Sequence, residues 1–231
     1  MKYKTWKPFY EKILKEFNFD KNKDFESAKI LNEIISKKEQ FKPEYLKNLI
    51  EKNNLIVFGA GPSLVNSIKK YKNKIDKFLV ISADGATSAL LENSIIPDII
   101  VTDLDGKVSD QIKANKKGSI VLIHAHGDNI KRIQKYIDKF KGKIIGTTQT
   151  DPSKFKNLYN FGGFTDGDRC VFLADHFNAG KINLLGFDFN KKIGKYSFSE
   201  NKDIKKKRKK LKWCKYLIEQ LKKQNKNIDF K

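Results

Sequence analysis

Two hydrophobic periods divide the chain. Up to residue 54, apolar positions recur at helical spacing. Thr5 to Phe17 reads as one helix, with Pro8 near its start. Asp24 is placed to cap a second, whose Phe25, Ala28, Leu31, Ile34 and Ile35 share a face. Pro43 opens a third, through Leu46, Leu49 and Ile50. From Leu55 the pattern changes to short, β-branched-rich runs that are apolar on both faces. They are Leu55–Phe58, Phe78–Ile81, Ile99–Val101, Ile120–Ile123, Lys143–Ile145 and Ile182–Leu185. Each is followed by a turn rich in Gly, Asp or Ser and then a helical stretch. Such runs read as parallel strands covered on both sides by helices. The alternation predicts a three-layer α/β fold with a mostly parallel sheet, N-terminal helices and a C-terminal helix over Lys202–Lys222. Three segments follow: a helical N-terminal appendage at 1–54, an α/β domain at 55–190, and a Lys-rich helical segment at 191–231.

Charge sharpens this division. The 231 residues carry a formal net charge of +21, and the last 41 contribute +12 of it, centred on Lys205 to Lys210. Two readings stay open for that run: a phosphate or nucleic-acid patch, or a solvated helix face. Only three basic residues are Arg (Arg132, Arg169 and Arg208), and no nucleic-acid motif is present, which favours the solvated face. The acidic residues are more informative. Residues 55–190 hold 13 Asp and one Glu, whereas 1–54 hold seven Glu and two Asp. Asp prefers caps, turns and hard-metal sites, so the loops of the α/β domain carry the carboxylates. Cys170 and Cys214 are too few for a disulfide framework or a zinc site. No apolar run approaches the roughly 18–20 residues of a membrane span, and the first residues lack a signal-peptide apolar region. A reducing, cytoplasmic setting without a membrane partner is therefore expected.

The turns after the strands hold the candidate chemistry. In parallel strands they share the carboxyl edge, where such sheets bind ligands. Several carboxylates converge there, and a divalent cation relieves their repulsion. An oxygen-only donor set suits Mg²⁺ rather than Zn²⁺. Asp103 and Asp105, with Gly106 following, are placed to face one ion, and Asp128 is the third candidate ligand. Helix capping is the competing explanation for any single Asp. The turn Gly59-Ala60-Gly61-Pro62-Ser63 suits close approach of a phosphate to backbone amides, although it is neither a dinucleotide fingerprint nor a Walker A loop. Phe161 to Asp168 forms a glycine-rich loop able to close over a ligand, with Phe161 or Phe164 to stack on a flat ring. His126 is better placed than His124 to reach the site, because the two face opposite ways on an extended segment.

The strings Ser82-Ala83-Asp84-Gly85-Ala86 and Ile96 to Gly106 resemble the strand-end elements of the thiamine pyrophosphokinase superfamily. Three further segments look like one branch of it, the archaeal 6-hydroxymethyl-7,8-dihydropterin pyrophosphokinases of methanopterin biosynthesis. These are Gly59 to Leu64, His124 to Asn129 and Gly163 to Arg169. The resemblance spans about residues 55–189. It implies the catalytic-domain fold of that superfamily for 55–190 and Mg²⁺-dependent transfer of diphosphate from ATP to a primary alcohol, releasing AMP. The alcohol it implies is the hydroxymethyl group of the reduced pterin. Asp103 and Asp105 match the metal-binding Asp-x-Asp, with Asp128 aligning less closely. Asp84 matches the Asp of the Asp-Gly element, and Asp84 or Asp128 is expected to accept the hydroxyl proton or hold a second ion. Gly59, Gly61, Ser63 and Arg169 are expected on the phosphates, and Phe164, Thr165, Asp166 and Asp168 in the substrate loop. Ala86 and Gly106 stand where the thiamine enzymes have Gly and Ser, which tells against thiamine as acceptor. The alternatives are a pyrophosphokinase of thiamine or another alcohol, and a basic nucleic-acid-binding protein. Homo-oligomerisation is left open.

Overall fold

All the short apolar runs form strands, and every strand pairs in parallel. A computed structural model describes residues 1–39, 41–189, 193–197 and 203–231. Three helices come first: α1 (Tyr3–Phe17), α2 (Lys21–Ile35) and α3 (Pro43–Ile50). Strands and helices then alternate: β1 (Leu55–Phe58), α4 (Leu64–Tyr71), β2 (Leu79–Ala83), α5 (Ala86–Glu92), β3 (Ile99–Thr102), α6 (Val108–Lys116), β4 (Ile120–Ala125), α7 (Ile130–Tyr136) and β5 (Ile144–Thr148). The chain closes with β6 (Leu158–Tyr159), α8 (Asp166–His176), β7 (Ile182–Leu185), α9 (Ile204–Gln224) and β8 (Ile228–Phe230). The sheet order is β6-β5-β4-β3-β2-β1-β7-β8. Of the expected C-terminal helix, Lys202 lies outside the described residues. The edge strands β6 and β8 escape the hydrophobic pattern because they are two and three residues long. β5 runs on through Thr147 and Thr148, which the pattern places in the following turn.

Strand residues alternate between the faces. Leu55 and Val57 of β1 join one core, which also takes Trp6, Tyr10 and Ile13 of α1, Leu46 and Ile50 of α3, Val171 of α8 and Leu217 of α9. Ile56 and Phe58 meet α4 and α5 on the opposite face. Farther along that face, Ala28, Leu31 and Ile35 of α2 pack with α6, α7 and the outer strands. Residues 1–54, expected as an appendage, thus contribute buried side chains to both faces of the sheet.

Asp24 does not cap α2. Asp20 does, accepting a bond from the Asn22 N–H at 2.8 Å, and Asp24 lies one turn inside, 3% exposed. The helix begins a turn earlier because Asp20 follows the left-handed C-cap of α1 at Asn18.

Candidate active site

A half-open cleft of about 400 Å³ lies along the carboxyl edge of the sheet. That volume is within the range of small-molecule sites. Its floor is acidic. Asp84 after β2, Asp103 after β3 and Asp166 at the start of α8 bring carboxylate oxygens within 4.8 Å of one another. Asp105 lines the same cleft beside this trio. Asp128, expected as a ligand, sits exposed on the cleft rim and is not in the trio. Asp166, expected in the substrate loop, takes the third place instead.

Each carboxylate is held by its neighbours. Asp84 Oδ1 accepts bonds from Thr102 Oγ1 at 2.8 Å, Gln111 Nε2 at 2.7 Å and the Gly106 N–H at 3.3 Å. The Thr102 hydroxyl in turn accepts the Leu104 N–H at 2.8 Å. Gly106 is required here: a Cβ would stand 2.3 Å from Asp84 Oδ2. Two non-glycine residues of this corner have positive φ, Asp84 at 36° and buried Leu104 at 66°. Such backbone costs about 1–3 kcal/mol per residue and persists where its surroundings enforce it.

Asp103 Oδ2 faces His126 Nε2 at 3.0 Å. His126 Nδ1 accepts the Asp128 N–H at 3.3 Å, so Nε2 carries the proton and donates to Asp103. His126 therefore reaches the site as expected, while buried His124 turns to Thr147 Oγ1 at 3.0 Å. The Asp103 carbonyl accepts Asn129 Nδ2 at 2.9 Å, and Asn129 Oδ1 accepts Ser27 Oγ from α2 at 3.1 Å.

Burial pushes the Asp84 carboxyl up to about 7, and the charges of Asp105 and Asp103 add to the rise. Burial and Asp103 likewise raise Asp166 well above the usual range. Burial would raise Asp103 too, but the His126 hydrogen bond and nearby positive charge, including Arg169 and Lys210, hold it well below. One anion and two reluctant acids on one floor suit a cation that would take up the charge. The donor set is oxygen only, and its three oxygens lie within 4.8 Å of one another at one point of the floor. The residues present therefore fit Mg²⁺.

Cations face this floor. Arg169 donates to Asp166 Oδ1 at 3.0 Å and lies 3.4 Å from Gln149 Oε1. Gln149 Nε2 donates to Asp24 Oδ2 at 2.7 Å, which also accepts Tyr10 Oη at 2.7 Å. Asp24 Oδ1 accepts the Gly127 N–H at 2.7 Å, so α1 and α2 brace the turn after β4. From α9, Lys206, Lys207 and Lys210 line the cleft. Burial lowers the Lys210 ammonium, while Asp103 and Asp105 pull it back.

The glycine turn after β1 has another use than the one expected. The Gly59 and Gly61 N–H groups donate to the carbonyls of Leu185 and Gly186, and Ser63 donates through both N–H and Oγ to Asp188. A Cβ on Gly61 would lie 2.5 Å from Gly186 O, so these glycines admit the loop after β7. Gly59 and Gly61 still line the cleft. Phe164 and Thr165 line it as well. Asp168 instead closes the cap of α8, accepting the N–H groups of Phe164 at 2.6 Å and Thr165 at 2.8 Å. Phe161 is packed against His176 and Phe177.

Sheet and cleft define the class: an α/β protein whose ligand cleft lies along the carboxyl edge of a parallel sheet. A family model described as 6-hydroxymethylpterin diphosphokinase MptE-like matches residues 26–194. A relative from Methanocaldococcus jannaschii is 48% identical over 96% of both chains. One from Methanothermobacter thermautotrophicus is 45% identical over 85% of this chain and 83% of its own. One from Pyrococcus furiosus is 42% identical over 96% of this chain and 95% of its own. All three are named 6-hydroxymethyl-7,8-dihydropterin pyrophosphokinase. Among solved structures, the MAf glycosyltransferase of Magnetospirillum magneticum AMB-1 overlays with TM-score 0.46 and 19% identity, over 67% of this chain and 26% of that one. The chain belongs to the 6-hydroxymethylpterin diphosphokinase MptE-like family.

Proposed function

We propose that the chain transfers diphosphate from ATP to the hydroxymethyl oxygen of 6-hydroxymethyl-7,8-dihydropterin and releases AMP. The observation that carries this reading is the carboxylate trio of Asp84, Asp103 and Asp166 facing Arg169 and the α9 lysines across an open cleft. The names of the three relatives support the acceptor. The trio would hold Mg²⁺, which when bound neutralises phosphate charge. The acceptor oxygen bonds to the β-phosphorus, the bond from that phosphorus to the α-phosphate oxygen breaks, and the hydroxyl proton passes to a cleft carboxylate. Little covalent work falls to the protein; it orients the two substrates and offsets charge. His126 keeps Asp103 ionised, and Gln111 and Thr102 hold Asp84 through Oδ1.

The test is a nucleotide-product assay with Mg²⁺, ATP and the reduced pterin, run beside thiamine. AMP with the pterin alone is expected. AMP with thiamine alone transfers the reading to the other acceptor, and ADP overturns it. Asp103→Asn is expected to lower turnover at least about 100-fold with the circular dichroism spectrum unchanged.

A further inference from the structure

Three lysines of α9 line the cleft: exposed Lys206 and half-buried Lys207 and Lys210. Lys210 and Lys206 stand four and eight residues before Cys214, which opens the buried stripe of Cys214, Leu217, Ile218 and Leu221. One turn toward the N-terminus of α9 the stripe gives way to the half-buried ammonium of Lys210, and at Lys206 the same side is exposed. Lys207 is half-buried and donates to the Ser197 carbonyl at 3.0 Å. Lys206 lies over the Phe19 ring at 4.8 Å. Lys210 stands beside a pair of aromatic rings, 5.6 Å from the centre of Phe164 and 6.0 Å from that of Phe19. Among the described residues its ammonium has no hydrogen-bond or ion-pair partner, although Asp103 and Asp105 are near enough to act on its charge. A half-buried cation with three unused donors, beside two rings on the wall of a cleft, is placed for an anion that arrives with the ligand.

We propose that Lys210, flanked by Lys206 and Lys207, is the phosphate-binding wall of the cleft and contacts the oxygens of a polyphosphate chain opposite the carboxylate trio. This rests on the phosphate-transfer reading but assigns residues that the family model, ending at residue 194, does not reach. It also gives the basic tail a role inside the molecule.

The experiment uses the full chain and inorganic tripolyphosphate with Mg²⁺, measured by calorimetry, so that it does not depend on which alcohol is the acceptor. Lys210→Met is expected to weaken binding at least tenfold, Lys210→Arg to retain most of it, and the exposed Lys205→Met to stay within twofold of the parent. In turnover, Lys210→Met is expected to raise KM for ATP and leave KM for the acceptor unchanged. Thermal unfolding of each variant reports whether the fold is kept. Parent-like tripolyphosphate affinity in Lys210→Met overturns the proposal. Equal losses in Lys210→Met and Lys205→Met overturn it too, because they mean diffuse attraction. So do equal losses in Lys210→Met and Lys210→Arg, which mean lost packing. Tripolyphosphate binding that depends on Lys210, in a protein that releases no AMP with any alcohol, upholds the wall and refutes the reaction.

Discussion

At the scale of single residues, the site depends on how closely two turns approach. Gly106 passes against Asp84 with no room for a methyl group. Gly106→Ala is expected to push Asp84 out of the trio and lower kcat/KM at least about 100-fold while the core stays intact. Turnover combined with circular dichroism checks this. The raised carboxyl of Asp84 has a second consequence. Below pH 7 a proton occupies it in the metal-free protein, and a cation must displace that proton. Mg²⁺ affinity is expected to rise about tenfold per pH unit up to pH 7 and then level off. Calorimetric titrations at several pH values test the sign. Single residues also show what a sequence discloses. Asp84 and Asp103 were legible from their place after apolar strands. Asp166 was not, because its neighbour Asp168 is as acidic and only the capping geometry of α8 separates the two. Asp24 looked like a helix cap for the same reason, since an Asp near a helix start suits both uses.

At the scale of elements, α1 and α2 are tied to the site by hydrogen bonds as well as by packing. Tyr10, Gln149 and the Gly127 N–H all donate to Asp24. Asp24→Asn places an amide among three donors and is expected to cost about 2–3 kcal/mol, with Tyr10→Phe costing less. For a chain of this size, each kcal/mol lowers Tm by roughly 2–4 °C, which thermal unfolding can resolve. The expected order is parent, then Tyr10→Phe, then Asp24→Asn. The helix α9 was legible as a helix, and the solvated-face reading of its basic run holds for exposed Lys205, Lys206 and Arg208 but not for half-buried Lys210. A run of six basic residues hides its own phase, and only the apolar stripe downstream, Cys214, Leu217 and Leu221, shows that Lys210 is the one on the inward side. The sheet was the most legible element, because strands covered on both faces leave unbroken apolar runs.

At the scale of the whole molecule, the cleft draws on residues from Asp24 to Lys210, so little of the chain is dispensable. The segment after residue 197 supplies the cleft lysines and also buries Cys214, Leu217, Ile218 and Leu221 against the sheet. A chain cut there is expected to lose cooperative unfolding, not merely its basic charge. A sharp thermal transition in the truncated chain would refute that. Among the described residues no helix is long and apolar enough to cross a membrane.

The strand order carries a consequence for synthesis. β1 lies between β2 and β7, and β7 is made only after five other strands have left the ribosome. At roughly 5–20 residues per second, one side of β1 waits roughly 6–25 s for its neighbour. During that interval its backbone edge, flanked by Leu55 to Phe58, is open to pairing with another nascent chain. Slower translation between Phe58 and Leu185 is therefore expected to raise aggregation of the nascent chain.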